Sequence, residues 1–191
     1  MARIQIKNLV TGETLGEVNV TEGDKELAQA RKNGSQIIYA TIVIENQLND
    51  IITNYLFGKF VPNSRRDFFV NDILCTSHIT FAAKKALTLK IIDNLKLFGN
   101  CSDLDSRRKK VINKKKADFD KLLVKVMNYR NAFAHGKLKY DATKGCVLHY
   151  YSGGHKEHVL DDAFWTKIED EYENIDAVLR NIMELIQSAD S

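Results

Sequence analysis

Ala117-Asp118-Phe119-Asp120-Lys121-Leu122-Leu123-Val124-Lys125-Val126-Met127-Asn128-Tyr129-Arg130-Asn131-Ala132-Phe133-Ala134-His135-Gly136 carries the most informative periodicity in the chain. Advancing about 100° per residue from Val126, the side chains of Phe119, Leu122, Tyr129 and Phe133 all fall within about 60° of it. The spacing predicts a helix over 117–134, with Gly136 where glycine commonly stops one. Arg130 sits at the edge of the apolar stripe. Asn131 and His135, four residues apart, share the opposite face. Leu123, Val124 and Met127 widen the apolar arc toward that polar face, more than one core contact needs. A second packing partner is expected, another subunit being the simplest.

The pattern on either side is also helical. Upstream, Ser35 reads as the cap of a helix that carries Ile37, Ile44, Leu48, Ile51 and Tyr55 and ends at Gly58 and Pro62. From Phe68 to Phe98 apolar residues recur at three- and four-residue steps, which predicts one or two helices, with Thr76 to Thr80 as the candidate break and Gly99 as the stop. Between this segment and the quoted helix the sequence reads as a basic loop. Downstream, Asp161 and Asp162 open a last helix in which Trp165, Ile168, Tyr172, Ile175, Leu179, Ile182 and Ile186 follow helical spacing without a break.

Two stretches change period. Arg3 to Val20 alternates around Thr11-Gly12-Glu13-Thr14, a hairpin within residues 1–22. Within 138–160, Val147 to Tyr151 and Lys156 to Leu160 flank Gly153-Gly154, read as a two-residue hairpin turn that places His149 directly across from His158. The expected fold class is mainly α, a helical bundle with accessory β-hairpins, as a single domain over 1–191.

Composition bounds the function. The 191 residues include 28 basic and 25 acidic side chains, 44% apolar residues, nine Phe, seven Tyr and one Trp, which is ordinary for a folded globular chain. No apolar run is long enough to span a bilayer, and the first residues lack the apolar core of a signal peptide. The expectation is a cytoplasmic protein without membrane contact. Cys75, Cys101 and Cys146 are odd in number, widely spaced and without a CxxC pair, so free thiols are expected.

Charge is strongly polarised. Arg107, Arg108, Lys109, Lys110, Lys114, Lys115, Lys116, Lys121, Lys125, Arg130, Lys137 and Lys139 face only Asp118 and Asp120 in their segment, a local charge of +10. The rest of the chain carries −7 of the net +3. Such a field favours a polyanion at one surface, although a solvated basic helix carries the same composition. RNA is the expected ligand of these cations, with Lys137 and Lys125 at one end of the run and Arg107 to Lys110 at the other.

Walker, GxGxxG, GxSxG, HExxH and CxxC signatures are all missing, which removes the reaction classes built on them. What remains is Tyr129-Arg130-Asn131-Ala132-Phe133-Ala134-His135-Gly136. An arginine, a polar residue, three small or apolar residues and a histidine at the end of a helix resemble the motif of the HEPN family (higher eukaryotes and prokaryotes nucleotide-binding domain). The context agrees from Ser35 to Gln187: two long helices before the motif, one carrying it and one after it. The resemblance implies a metal-independent endoribonuclease, active as a homodimer without cofactor, in a toxin–antitoxin or antiviral role. It also implies that Arg130 and His135 are the catalytic pair and Asn131 the assisting polar residue. Some relatives carry a tyrosine two places after the histidine, which a nucleotidyltransferase antitoxin modifies; Lys137 occupies that place here.

The residue chemistry agrees with those roles. Histidine, with an ordinary pKa of about 6.5, takes or gives a proton near neutrality, and arginine presents a charged fork to phosphate oxygens. Cleavage of RNA through its own 2′-hydroxyl, leaving a 2′,3′-cyclic phosphate, needs a base, an acid and cations around the phosphorane. One chain supplies a single histidine in the motif, and a two-fold dimer supplies two. The alternatives are a catalytically silent HEPN-like module that binds RNA, a nucleotide or a protein, and a helical dimerisation protein. In the silent reading Arg130 pairs with a carboxylate such as Glu45. His149, His158, Cys146 and His155 form a second cluster, but their spacing does not match common zinc sites, so no metal is expected.

Overall fold

In a computed structural model the backbone is described for residues 2–7, 14–58, 61–97 and 106–189, and side chains for 21–58, 61–97 and 114–188. The chain is mainly α-helical with small antiparallel β elements, in the order β1 (Ala2–Lys7), β2 (Thr14–Val20), α1 (Glu22–Phe57), α2 (Asn63–Phe68), a π-helical turn (Phe69–Leu74), α3 (Phe81–Asn94), α4 (Ser106–His135), β3 (Lys137–Asp141), β4 (Gly145–Tyr151), β5 (His155–Val159) and α5 (Asp162–Ala189). None of the described helices is long and apolar enough to cross a membrane. The chain divides into two compact units, one of residues 1–38 and 131–166, the other of 39–130 and 167–191.

Helix α1 begins thirteen residues before the Ser35 cap that the sequence suggests. Thr21 is the cap: its hydroxyl accepts from the Asp24 amide at 3.2 Å, and Asp24 Oδ2 accepts from the Thr21 amide at 2.9 Å, a reciprocal capping box. The Thr21 hydroxyl also donates to Asp24 Oδ2 at 2.7 Å, and this bond, then the one from the Thr21 amide, holds the Asp24 carboxyl below the ordinary carboxylate range. Ser35 lies inside the helix and donates to the Arg31 carbonyl at 3.0 Å. Gly58, at φ 60°, and Pro62 end α1 as expected.

The unit of residues 39–130 and 167–191 is built on long aliphatic rows. Ile44, Leu48, Ile51 and Ile52 of α1, Ile91 and Ile92 of α3, Leu123 and Val126 of α4, and Ile175, Leu179 and Ile182 of α5 form one buried cluster. Each fully buried aliphatic side chain contributes roughly 1.5–3 kcal/mol. A polar seam runs through this apolar interior. Lys84, only 2% exposed, donates to Glu45 Oε1 at 2.6 Å, so Glu45 is engaged by a lysine. The Thr41 and Tyr172 hydroxyls share a hydrogen bond of 2.7 Å. Burial pushes the Tyr172 phenol up to about 12, against a smaller opposing effect of the Thr41 bond.

The Phe68 to Phe98 segment does break in two. The Cys75 amide bonds back to the Val70 carbonyl at 2.8 Å, closing the π-helical turn, and Thr80 caps α3 by accepting from the Ala83 amide at 3.3 Å. The expected basic loop is helix instead, because α4 starts at Ser106. Its Lys and Arg residues are good helix formers and the run contains neither Gly nor Pro. The widened arc of α4 is largely filled from within the chain. Leu123 is 0% exposed and Met127 packs against the same cluster, leaving Val124, at 42%, on the outside. The need for another subunit therefore does not follow from this arc.

The unit of residues 1–38 and 131–166 is smaller and held by close approach. Strands β1 and β2 pair antiparallel as expected, with Ile4 opposite Val18. In place of one C-terminal hairpin there is a three-stranded sheet in the order β3-β4-β5. Tyr151 faces His155 across a three-residue loop in which Gly153 and Gly154 take positive φ, so the two-residue turn is one residue short. The change of register puts His149 opposite Glu157 and His158 opposite Leu148, and the two histidines are therefore not a cross-strand pair. The core combines Ala30 of α1, Ala132 of α4, Cys146 and Leu148 of β4 and Leu160, with Phe133, Phe164 and Trp165 packed against it. Gly34 is a steric necessity: a Cβ there would lie 2.6 Å from the Phe133 ring. Asp161 caps α5 through the Phe164 amide at 2.8 Å.

Candidate functional site

Helix α4 sorts its last residues by phase. Val126, Tyr129 and Ala132 are buried, Arg130 and Phe133 half-buried, and Asn131, Ala134 and His135 exposed. Five residues of an α-helix set Arg130 and His135 about 140° apart around the axis, whereas Asn131 and His135 lie about 40° apart. One copy of the helix thus brings Asn131 and His135 to one side and turns Arg130 elsewhere. Phe133, inside the motif, is structural: its ring stacks on Trp165 at 5.8 Å and lies 6.4 Å from Phe164.

The helix ends where glycine was expected, but for a different reason. Gly136 is not one of the glycines with positive φ, and its amide bonds to the Ala132 carbonyl at 2.7 Å. A Cβ at Gly136 would meet the Ala132 carbonyl oxygen at 2.2 Å, Leu148 Cδ1 at 2.7 Å and the His149 carbonyl oxygen at 2.9 Å. The backbone that follows His135 is pressed onto β4. Directly after it, Lys137 enters β3 opposite His149.

The cations of the basic run divide into exposed and engaged groups. Lys114, Lys115 and Lys137 are exposed, and make no ion pair among the described residues. Lys116 pairs with Asp93, Lys121 lies 3.9 Å from Asp118, and Lys125 donates to Glu171 Oε1 at 2.8 Å. Because Glu171 is 8% exposed, Lys125, itself exposed, neutralises a buried carboxylate. The side chains of Arg107, Arg108, Lys109 and Lys110 lie outside the described residues, although all four belong to α4.

The register of the three-stranded sheet separates the histidines by face, since directly opposed residues project to the same side. On the inner side, Leu138, Leu148 and His158 align. There His158 stacks on Tyr150 at 5.0 Å, shares a 2.9 Å hydrogen bond with its hydroxyl and lies 5.2 Å from the Phe164 ring. Burial raises the Tyr150 phenol above its ordinary range, so the hydroxyl stays protonated. On the outer side, one row is Lys137, His149 and Glu157, and another pairs Tyr151 with His155. Glu157 is bound by Lys144 at 2.8 Å, which holds its carboxyl below the usual range, and His149 Nδ1 lies 3.8 Å away. The sequence offers Lys137 as a cation for RNA and Tyr151 as a ring that could stack on a base, but only the register groups them with His149 and His155 on one side. The alternation Lys137, Leu138, Lys139, Tyr140 is the further signal of β3 in the sequence.

Among the described residues no three His, Cys, Asp or Glu side chains converge on a point that could hold a metal ion. Cys146 is buried, and burial, then the charge of Glu26, pushes its thiol up, away from thiolate chemistry. A hollow of about 260 Å³ beside it is lined by Glu26, Asp162 and Trp165 among others, the wrong sign for a phosphate. Comparison of the chain with family models, with curated proteins and with solved structures finds no match.

Proposed function

We propose that this chain is a HEPN-type endoribonuclease that cuts RNA without a metal, as a homodimer, in a toxin or antiviral defence setting. The observation that carries the reading is the run Arg130-Asn131-Ala132-Phe133-Ala134-His135 at the very end of a long helix, with Asn131 and His135 exposed on one side of it. In this reading one copy of His135 draws the proton from the 2′-hydroxyl. The 2′-oxygen bonds to phosphorus as the bond to the 5′-oxygen breaks, and the other copy of His135 gives that oxygen a proton. The two Arg130 guanidinium groups balance the charge on the phosphorane, and Asn131 helps to orient it. The divergence of Arg130 and His135 around one helix favours two copies over one, because a second helix end can supply the missing direction. Lys114 and Lys115 supply a track for the strand. An antitoxin protein is the expected partner of the toxin form, and Lys137 in place of the modified tyrosine argues that it acts by binding.

The test is incubation of the full chain with single-stranded RNA in EDTA. The expected result is cleavage that spares DNA and leaves 2′,3′-cyclic phosphate ends, falling about 10²–10⁴-fold in His135→Ala. Magnesium dependence, DNA cleavage or a fully active His135→Ala protein overturns the assignment. Exchange of Lys114 and Lys115 for Gln is expected to flatten the salt dependence of binding by about 0.7 per lysine.

A further inference from the structure

The outer side of the three-stranded sheet is covered at Val147, which is 2% exposed, and opens toward the Tyr151 end. Tyr151 is 83% exposed, and no ring contact holds it among the described residues. Its cross-strand neighbour His155 is exposed as well, and the His155 ring lies 5.5 Å from that of His149 at 38°. The loop between Tyr151 and His155 carries Gly153 and Gly154, and a Cβ at either would meet nothing within 4 Å. The phenol is open to a flat partner by its exposure, and the glycines let a backbone come close. In line with this ring row stand two exposed ammonium groups, Lys137 opposite His149 and Lys139 opposite Val147. The acid on the same side, Glu157, is neutralised by Lys144. Rings with free faces beside lysines fit a single-stranded nucleic acid, which offers a base to each ring and a phosphate to each ammonium.

We infer that the outer face of this sheet is a track for single-stranded RNA, in which Tyr151 and His155 stack on unpaired bases while Lys137 and Lys139 hold phosphates of the same strand. This rests on the ribonuclease reading for the identity of the ligand. It assigns the sheet a task that the motif does not contain, and the chain connects the two directly, since α4 ends at His135 and β3 begins at Lys137. Selection for unpaired RNA follows, since paired bases offer no free face to a ring.

The experiment measures binding apart from cutting, by fluorescence anisotropy of a labelled 2′-O-methyl oligouridine, which has no free 2′-hydroxyl, on the full chain. Tyr151→Ala is expected to weaken binding about fivefold to a hundredfold, and Tyr151→Phe to keep most of it. On an abasic strand the difference between parent and Tyr151→Ala is expected to vanish. Lys137→Gln with Lys139→Gln is expected to reduce the salt slope by about 1.4. If Tyr151→Ala and the double Gln variant bind like the parent, with the same slope, the track is overturned, and the cleavage assay with unmodified RNA judges the ribonuclease reading separately. If the parent binds no oligouridine yet cuts RNA, the track is again overturned and the ribonuclease stands. If it neither binds nor cuts, both fall. Because Tyr151 is so exposed, circular dichroism of Tyr151→Ala is expected to match the parent, and a misfolded variant is replaced by Tyr151→Ser.

Discussion

The unit of residues 39–130 and 167–191 fills its interior with Leu, Ile and Val from four helices and tolerates a lysine, a glutamate and hydroxyls in a seam through it. The unit of residues 1–38 and 131–166 has few aliphatic residues at its centre and uses glycines to let rings and backbone meet: Gly34 under Phe133, Gly136 against β4. The first is stabilised by volume and endangered by a bare charge. The second is stabilised by fit and endangered by a single added carbon. Nothing in the apolar fraction of either stretch announces the difference, because the deciding residues are a buried Lys84 in one and Gly136 in the other.

That contrast breaks most visibly at the ion pair. Removing the carboxylate in Glu45→Ala leaves the Lys84 ammonium buried, and a loss of about 3–4 kcal/mol in urea denaturation is expected, whereas Lys84→Met, which replaces the charge by a chain of similar volume, is expected to be near neutral. Equal losses for the two variants would show that the seam is solvated. Next comes the close approach. Gly136→Ala places a carbon against a backbone oxygen that no rotamer can move, and about 2–3 kcal/mol of destabilisation is expected. By contrast Gly23→Ala meets only the side chain of Tyr140, 43% exposed, rather than backbone, and is expected to cost under about 1 kcal/mol, since Ala favours the helix. Similar melting temperatures for the two glycine variants would remove the distinction drawn here.

A smaller effect separates the units by pH. Tyr172 titrates near 10 unfolded and at about 12 in the fold, so its contribution is complete below pH 10 and is lost as pH rises toward 12. Between pH 9 and pH 11 stability should fall by about 1 kcal/mol from this group, and Tyr172→Phe should lessen the fall. A comparable effect is expected at the caps: Thr21→Ala and Asp161→Ala should each cost about 1 kcal/mol, read as a shift in the denaturation midpoint.

Much of the fold was legible. The unbroken spacing of Ile168, Ile175, Leu179, Ile182 and Ile186 reads as a helix and is buried as one. The first third of α1 was hidden because Gly23 and Gly34 look like breakers until the rings above them are seen. The basic stretch before Lys116 looked like a loop because charge was read as a surface signal, although Lys and Arg propagate a helix well. The sheet register failed by one residue because Gly153-Gly154 satisfies the common two-residue turn while the chain uses three. For the candidate site, helix phase alone gives the shared side of Asn131 and His135. The roles assigned to them come from the resemblance of the motif, and periodicity does not contain them. The outer row of Lys137, His149, Tyr151 and His155 needed the register, which a sequence does not carry.

Gly136 has a mechanical meaning beyond its steric one. With its amide bonded to Ala132 and no room for a Cβ beside Leu148 and His149, Gly136 makes a close joint between α4 and β3. At Gly136 the link is backbone without a side chain, so no rotamer lies between β4 and the end of the helix. The position of His135 is thereby tied to that of the strand, as a crank is keyed to its shaft.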